Sequence, residues 1–217
     1  MLPRILFALL LGLATVAALG SPRSARAGET CFGLAPTIVD AGQIVGTTGD
    51  DVILGSAGND TVFGNGGNDR VCTLGGNDDA TTGAGVDQLS GGEGNDKLRG
   101  GGNDDTIYGG PGNDSPAGQD GEDALFGDAG NDKITLGAGD DQADGGIGRD
   151  RIYGQGGEDT IEGGPDDDSV SANAGDDVIS GSDGADKLVG GTDDDQFIGG
   201  DGDDQQDNTC EDLIGFP

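Results

Sequence analysis

An aspartate recurs at every ninth residue of this 217-residue chain, and a carboxylate at fixed spacing is first of all a ligand for a hard cation. The set is Asp51, Asp60, Asp69, Asp78, Asp87, Asp96, Asp105, Asp114, Asp123, Asp132, Asp141, Asp150, Asp159, Asp168, Asp177, Asp186, Asp195 and Asp204, with no insertion or deletion to break the phase. If two repeats close one coil, Asp n lies above Asp n+18 and the chain builds two carboxylate ladders with steps of about 5 Å. Carboxylates so close repel unless a counterion sits between them. Ca2+ suits the task, because it takes six to eight oxygens from carboxylates and backbone carbonyls. Mg2+ fits less well, since it holds its waters in a strict octahedron. Nine coils leave eight gaps on each of two edges, which sets an upper bound of about sixteen ions.

Other chemistries are poorly served. With no histidine in the chain, Ser-His-Asp and Cys-His catalysis and His-containing zinc sites are excluded. Paired carboxylates abound, but 42 acidic residues make such pairs unavoidable, so they do not argue for glycoside hydrolysis. There is no G-x-x-x-x-G-K loop, and the Gly-x-Gly strings are by-products of the repeat without a strand–helix context. Three of the ten basic residues (Arg4, Arg23, Arg26) fall in residues 1–27, leaving 7 basic against 42 acidic residues and a net charge of −35. That balance excludes nucleic acid as a partner and disfavours anionic membrane surfaces. Sixteen calcium ions would bring +32 against it.

The elements that must position the aspartates follow from the nine-residue unit, of which Gly91-Gly92-Glu93-Gly94-Asn95-Asp96-Lys97-Leu98-Arg99 is a good copy. Position one is Gly in 14 of 18 copies and position four in 15. Asn103, Asp166 and Asp193 replace it at position four, where a positive φ is expected. Position eight is large and apolar in 14 copies, with Ala80, Pro116, Ala143 and Gln206 departing. This much Gly argues against helix. The unit reads as a six-residue turn ending in Asp, then a three-residue strand whose middle side chain points inward. Two strands and two turns make one eighteen-residue coil, and nine coils stack to about 43 Å.

Over residues 46–207 the chain resembles the haemolysin-type (RTX) calcium-binding nonapeptide repeat proteins, whose unit is G-G-x-G-x-D-x-U-x. The resemblance implies an all-β fold, a right-handed parallel β-roll with Ca2+ held in the turns between coils. Each ion would take two carbonyls and an Asp from each of two turns. Highly acidic, aromatic-poor composition by itself points to disorder, and a core of one apolar side chain per repeat is thin for the length of chain it must order. Coupled folding is therefore expected: disordered without calcium and folded with it.

The flanks complete the expected layout. Residues 1–27 carry Arg4, the apolar run Ile5–Leu19 and a Ser-Ala-Arg-Ala end, the pattern of a cleaved secretory signal. The run is short for a membrane span. Residues 28–45 form an N-terminal cap, with Gln43–Val45 a degenerate first strand and Phe32, Leu34 and Ile38 folded over the open end. Residues 208–217 offer Leu213, Ile214 and Phe216 as a C-terminal cap. A secreted chain permits disulfides. Cys72 sits at an outward position of the second coil, Cys31 lies within reach, and Cys210 is roughly 30 Å away along the stack, so Cys31–Cys72 is the favoured pair. Local weakness is expected near Ala80, Pro116 and Ala143. Phe63, Tyr108, Phe126 and Tyr153 at position nine should face outward as isolated aromatics. The 28 residues outside leader and array leave too little chain for a catalytic domain. The expected function is that of a secreted, non-enzymatic calcium-binding protein. An adhesin or matrix component using the roll faces, or a haemolysin-related protein, remains open.

Overall fold

The computed structural model describes residues 30–207 and the strand Glu211–Leu213; the proposed signal, Cys210 and most of the C-terminal cap lie outside the described residues. Each repeat lays down one strand, and successive strands fall in opposite sheets. One sheet has eleven strands, from Ile38–Val39 to Glu211–Leu213. The other has ten, from Gln43–Val45 to Gln205–Asp207. Every pairing is parallel, and within the array the register is eighteen residues, as in Thr106↔Ala124, Ile107↔Leu125 and Tyr108↔Phe126 of the first sheet. Lys133↔Arg151, Ile134↔Ile152 and Thr135↔Tyr153 show the same step in the second. There is no helix among the described residues. The architecture is a parallel β-solenoid of about nine turns, closed by short turns on two edges.

Most strands run six residues rather than the three read from the repeat. In these six, positions eight and one both point inward, so the burial alternates through Lys97–Gly102 and the ladder continues past the corner. Position eight supplies the core: Ile53, Val71, Leu89, Ile107 and Leu125 from one sheet face Val62, Leu98, Ile134 and Ile152 from the other, all at most 1 % exposed. Ile44 joins them from Gln43–Val45, which pairs with Thr61–Gly66. Position one adds Thr73, Thr82, Leu136 and Ala172 where it is not Gly.

From Gly67 to Asp193 position four takes a positive φ, at Gly94 (128°) and also at Asn103, Asp166 and Asp193. A Cβ on Gly94 would lie 1.7 Å from the carbonyl oxygen of Gly76 in the coil below, so stacking as well as φ selects glycine there. Position two is also left-handed, at Asn65, Gln119, Asp128 and Gln155 and even at Leu74 (82°). The repeat signals this less strongly than at position four, because Gly fills position two in 9 of 18 copies against 15 at position four.

The irregular repeats are absorbed without breaking the stack. Ala80 is fully buried within Asp79–Ala84. Pro116 is buried inside Ser115–Asp120. That strand pairs with Lys97–Gly102 from Ser115 onward, yet its ladder to Lys133–Ala138 begins only at Ala117↔Thr135. The pyrrolidine nitrogen has no hydrogen to donate to the next coil. Ala143 lies in a strand of three residues, Gln142–Asp144, and is 7 % exposed.

The N-terminal segment does not lie wholly over the open end. Ile38 packs at the end of the core, opposite Ile53. Cys31, however, is bonded to Cys72 (Cα–Cα 5.7 Å) on the outer face of the first sheet. This carries Phe32 across that face to Tyr108, with ring centroids 6.1 Å apart, and leaves Leu54 beneath the segment 1 % exposed. Tyr108 and Phe126 are not isolated: one coil apart in one column, they stack at 5.0 Å. Phe63 and Tyr153 are exposed on the second sheet.

Candidate metal centre

Each position-six Asp stands between the left-handed turn and the strand. Its carboxylate folds back beneath its own turn. A Cβ on Gly64 at position one would lie 2.4 Å from Asp69 Oδ2 and 2.4 Å from the carbonyl oxygen of Thr82 in the next coil. Gly is favoured at position one because a carboxylate oxygen and a carbonyl oxygen converge where a Cβ would stand; Thr73, Thr82, Leu136 and Ala172 are the four exceptions.

The two carboxylate oxygens have different fates. Oδ1 accepts the backbone N–H of the Asp one coil earlier, as in Asp114 N–H to Asp132 Oδ1 (2.6 Å) and Asp132 N–H to Asp150 Oδ1 (2.7 Å). Sixteen such bonds are described, eight on each edge, from Asp51–Asp69 to Asp186–Asp204. Oδ2 is different. From Asp69 to Asp186, fourteen consecutive ladder members bury Oδ2 without a donor in bonding geometry. At Asp78 and Asp87, raised by burial, the nearby Thr73 and Thr82 hydroxyls pull the carboxyl down in part, though they donate to the Gly91 and Gly100 carbonyls. A carboxylate oxygen buried without a partner is costly. The first member of each ladder avoids the problem. Asp51 Oδ2 accepts the N–H and hydroxyl of Thr47, and Asp60 Oδ2 those of Ser56.

The electrostatics follow. Burial pushes the carboxyls up from their ordinary 3.8: Asp69, Asp96, Asp150 and Asp177 to about 6, Asp114, Asp132, Asp141, Asp159 and Asp168 to about 7, and Asp105 to about 8. The N–H from the neighbouring coil pulls each one down in part, and like charges in adjacent coils push up again. A divalent cation against Oδ2 reverses this balance by supplying the missing opposite charge.

The structure brings the eighteen aspartates into two columns. Asp51 to Asp195 are buried and Asp204 is half-buried. Among the described residues no three Asp, Glu or Cys side chains converge on one point. An ion between two coils would have the carboxylates of two stacked aspartates to draw on, with backbone carbonyls and water to complete its shell, an oxygen-only set that suits Ca2+. Two position-one carbonyls are already engaged: the Thr73 hydroxyl donates to Gly91 O (2.6 Å) and the Thr82 hydroxyl to Gly100 O (3.0 Å).

Two features escaped the sequence reading. One is the Oδ1 bond to the coil below. The other is a second ladder at position five, where Asn59, Asn77, Asn95, Asn113 and Asn131 accept the N–H of the next coil on one edge. Asp50, Asp104, Asp140 and Asp176 do so on the other. Comparing position five across rows of eighteen displays the Asn column of the second; the Oδ1 bond depends on turn geometry that no layout of the sequence shows.

Comparison with known families matches the RTX calcium-binding nonapeptide repeat at residues 45–80, 81–116 and 117–152 and in overlapping windows to residue 205. No curated protein matches the chain. With the repeat matched over most of the chain and its aspartates stacked in two columns with buried, unpartnered Oδ2 atoms, the chain belongs to the RTX calcium-binding nonapeptide repeat family.

Proposed function

We propose that this is a secreted, non-enzymatic calcium-binding protein, disordered without the ion and folded by it. The eighteen position-six aspartates hold up to about sixteen Ca2+ ions in the gaps between coils. The observation that carries this function is the run of fourteen buried Oδ2 atoms without a donor. Calcium supplies positive charge at these oxygens when bound. The chain's own residues supply the frame: Oδ1 fixes each carboxylate to the coil below, Gly at position one admits it, and position eight closes the core. The signal-like pattern of residues 1–27 and the Cys31–Cys72 bond favour an oxidising, calcium-rich destination outside the cytoplasm. The lack of histidine, which removes Ser-His-Asp and Cys-His catalysis, favours a structural or binding role. Circular dichroism in calcium and in excess chelator tests the proposal. β-structure that appears with calcium and vanishes reversibly with chelator is expected; β-structure indifferent to both refutes it.

A further inference from the structure

The charges on the outside of the solenoid are sorted. Five of the seven Lys and Arg beyond residue 27 (Lys97, Arg99, Lys133, Arg151 and Lys187) stand at outward positions seven and nine of the second sheet. Across the six neighbouring strands from Lys97–Gly102 to Lys187–Thr192, these two columns hold no carboxylate. The register sets Lys97, Lys133, Arg151 and Lys187 in one file, and all four are exposed. Arg99 is paired with Asp79 at 2.7 Å, and Lys133 lies 5.7 Å from the Tyr153 ring centroid. Arg151 and Lys187 form no ion pair among the described residues.

The turn edges are sorted too. On the edge that carries Asp51 and Asp69, position five is Asp104, Glu122, Asp140, Glu158, Asp176 and Asp194 in six successive coils, every one exposed. On the opposite edge the same position is asparagine from Asn59 to Asn131. The acidic row is held to the coil spacing, because the next coil's N–H donates to Oδ1 of Asp104, Asp140 and Asp176. It lies outside the buried ladder, so ions bound between the position-six aspartates leave its charge in place. One molecule thus carries a basic file on a sheet face and an acidic row on a turn edge, both at the coil spacing and over the same coils.

We infer that calcium-loaded copies of this chain associate edge to face, the acidic row of one copy lying along the basic second-sheet face of the next. This rests on the proposed calcium-driven folding, which creates both surfaces and removes most of the net negative charge that otherwise keeps copies apart. Because the two surfaces differ, the contact is head-to-tail, giving rings where the rotation closes and filaments where it does not. Such contacts weaken as salt screens them.

Sedimentation velocity on the calcium-loaded full chain, with circular dichroism on the same samples, tests this. Two variants are needed: Lys133→Glu/Arg151→Glu on the face and Glu122→Lys/Glu158→Lys on the edge. Arg149 already occupies position five on the opposite edge, so a cation there is tolerated. At about 10 mM salt the mean mass of the natural chain should rise about twofold or more above the monomer, and should return to monomer in about 0.5 M salt. Each variant alone should stay monomeric, and an equimolar mixture of the two should assemble again. A folded natural chain that stays monomeric at low salt overturns the inference and leaves the proposed function standing. So does assembly undiminished in both variants, or capture of an acidic polysaccharide by the face without self-association. A chain that does not fold in calcium refutes both.

Discussion

Replacing Asp132 by Asn should move stability in opposite directions with and without calcium. Asp132 sits mid-ladder, 2 % exposed, with Oδ1 accepting the Asp114 N–H at 2.6 Å and Oδ2 without a donor. The amide oxygen of Asn can keep the first bond while the charge disappears. Burial lifts this carboxyl from 3.8 to about 7, so holding it ionised above that pH costs the folded chain about 4 kcal/mol. Water at the turn edge screens part of this, leaving on the order of 2 kcal/mol. In chelator at pH 8 the variant should therefore fold more readily than the natural chain. The readout is the concentration of a stabilising osmolyte needed to induce β-structure by circular dichroism, which should fall. In calcium the sign reverses. Asp132 borders two gaps, toward Asp114 and toward Asp150, so its loss should weaken two sites and raise the calcium concentration needed for folding. A variant that folds no more readily in chelator, or whose calcium requirement is unchanged, would refute the assignment of Oδ2 to the ion.

Three further outcomes follow from the same structure. In chelator, acidification should favour the roll: burial lifts ten of the folded ladder carboxyls well above their ordinary value, from about 6 at Asp69 to about 8 at Asp105. Their contribution is therefore present at pH 4 and lost as pH rises through that window, the reverse of acid denaturation; osmolyte-induced folding across pH 4–8 checks the sign. Pro116→Val should restore a donor to the ladder toward Lys133–Ala138 and stabilise the calcium-loaded chain by about 1 kcal/mol, measured by denaturant unfolding. Reducing the Cys31–Cys72 bond, which spans 41 residues, should cost about 2–4 kcal/mol; hydrogen exchange should show the loss first around Leu54 and Ile53.

Much of this fold could be read from the nine-residue period. A strict repeat with one apolar position and a glycine-rich turn admits few ways to bury that position, and stacking in steps of eighteen is the simplest. The aspartate columns, the inward position eight and the left-handed Asn103, Asp166 and Asp193 all follow from it. Three features do not, each for a physical reason. Strand length depends on position one turning inward as well, which glycine conceals because it has no side chain to pattern. The left-handed position two is Gly in 9 of 18 copies and is otherwise filled by residues such as Asn, Gln, Asp and Leu, so its sign in the composition is weaker than that of position four. The path of Phe32 depends on a covalent bond to the outer face at Cys72, which overrides the tendency of an apolar segment to cover an open end. The Tyr108–Phe126 stack was accessible in the sequence, since the two residues are eighteen apart and share an outward column.

The central claim is that the ion and the fold are one equilibrium. A calcium titration of the full chain, followed in parallel by calorimetry and far-ultraviolet circular dichroism, tests it most directly. Heat and β-structure should rise together along a steep, cooperative curve and saturate at many ions per chain, not above about sixteen. β-structure that is complete before calcium is added, or saturation at one or two ions with the rest of the curve flat, would contradict it.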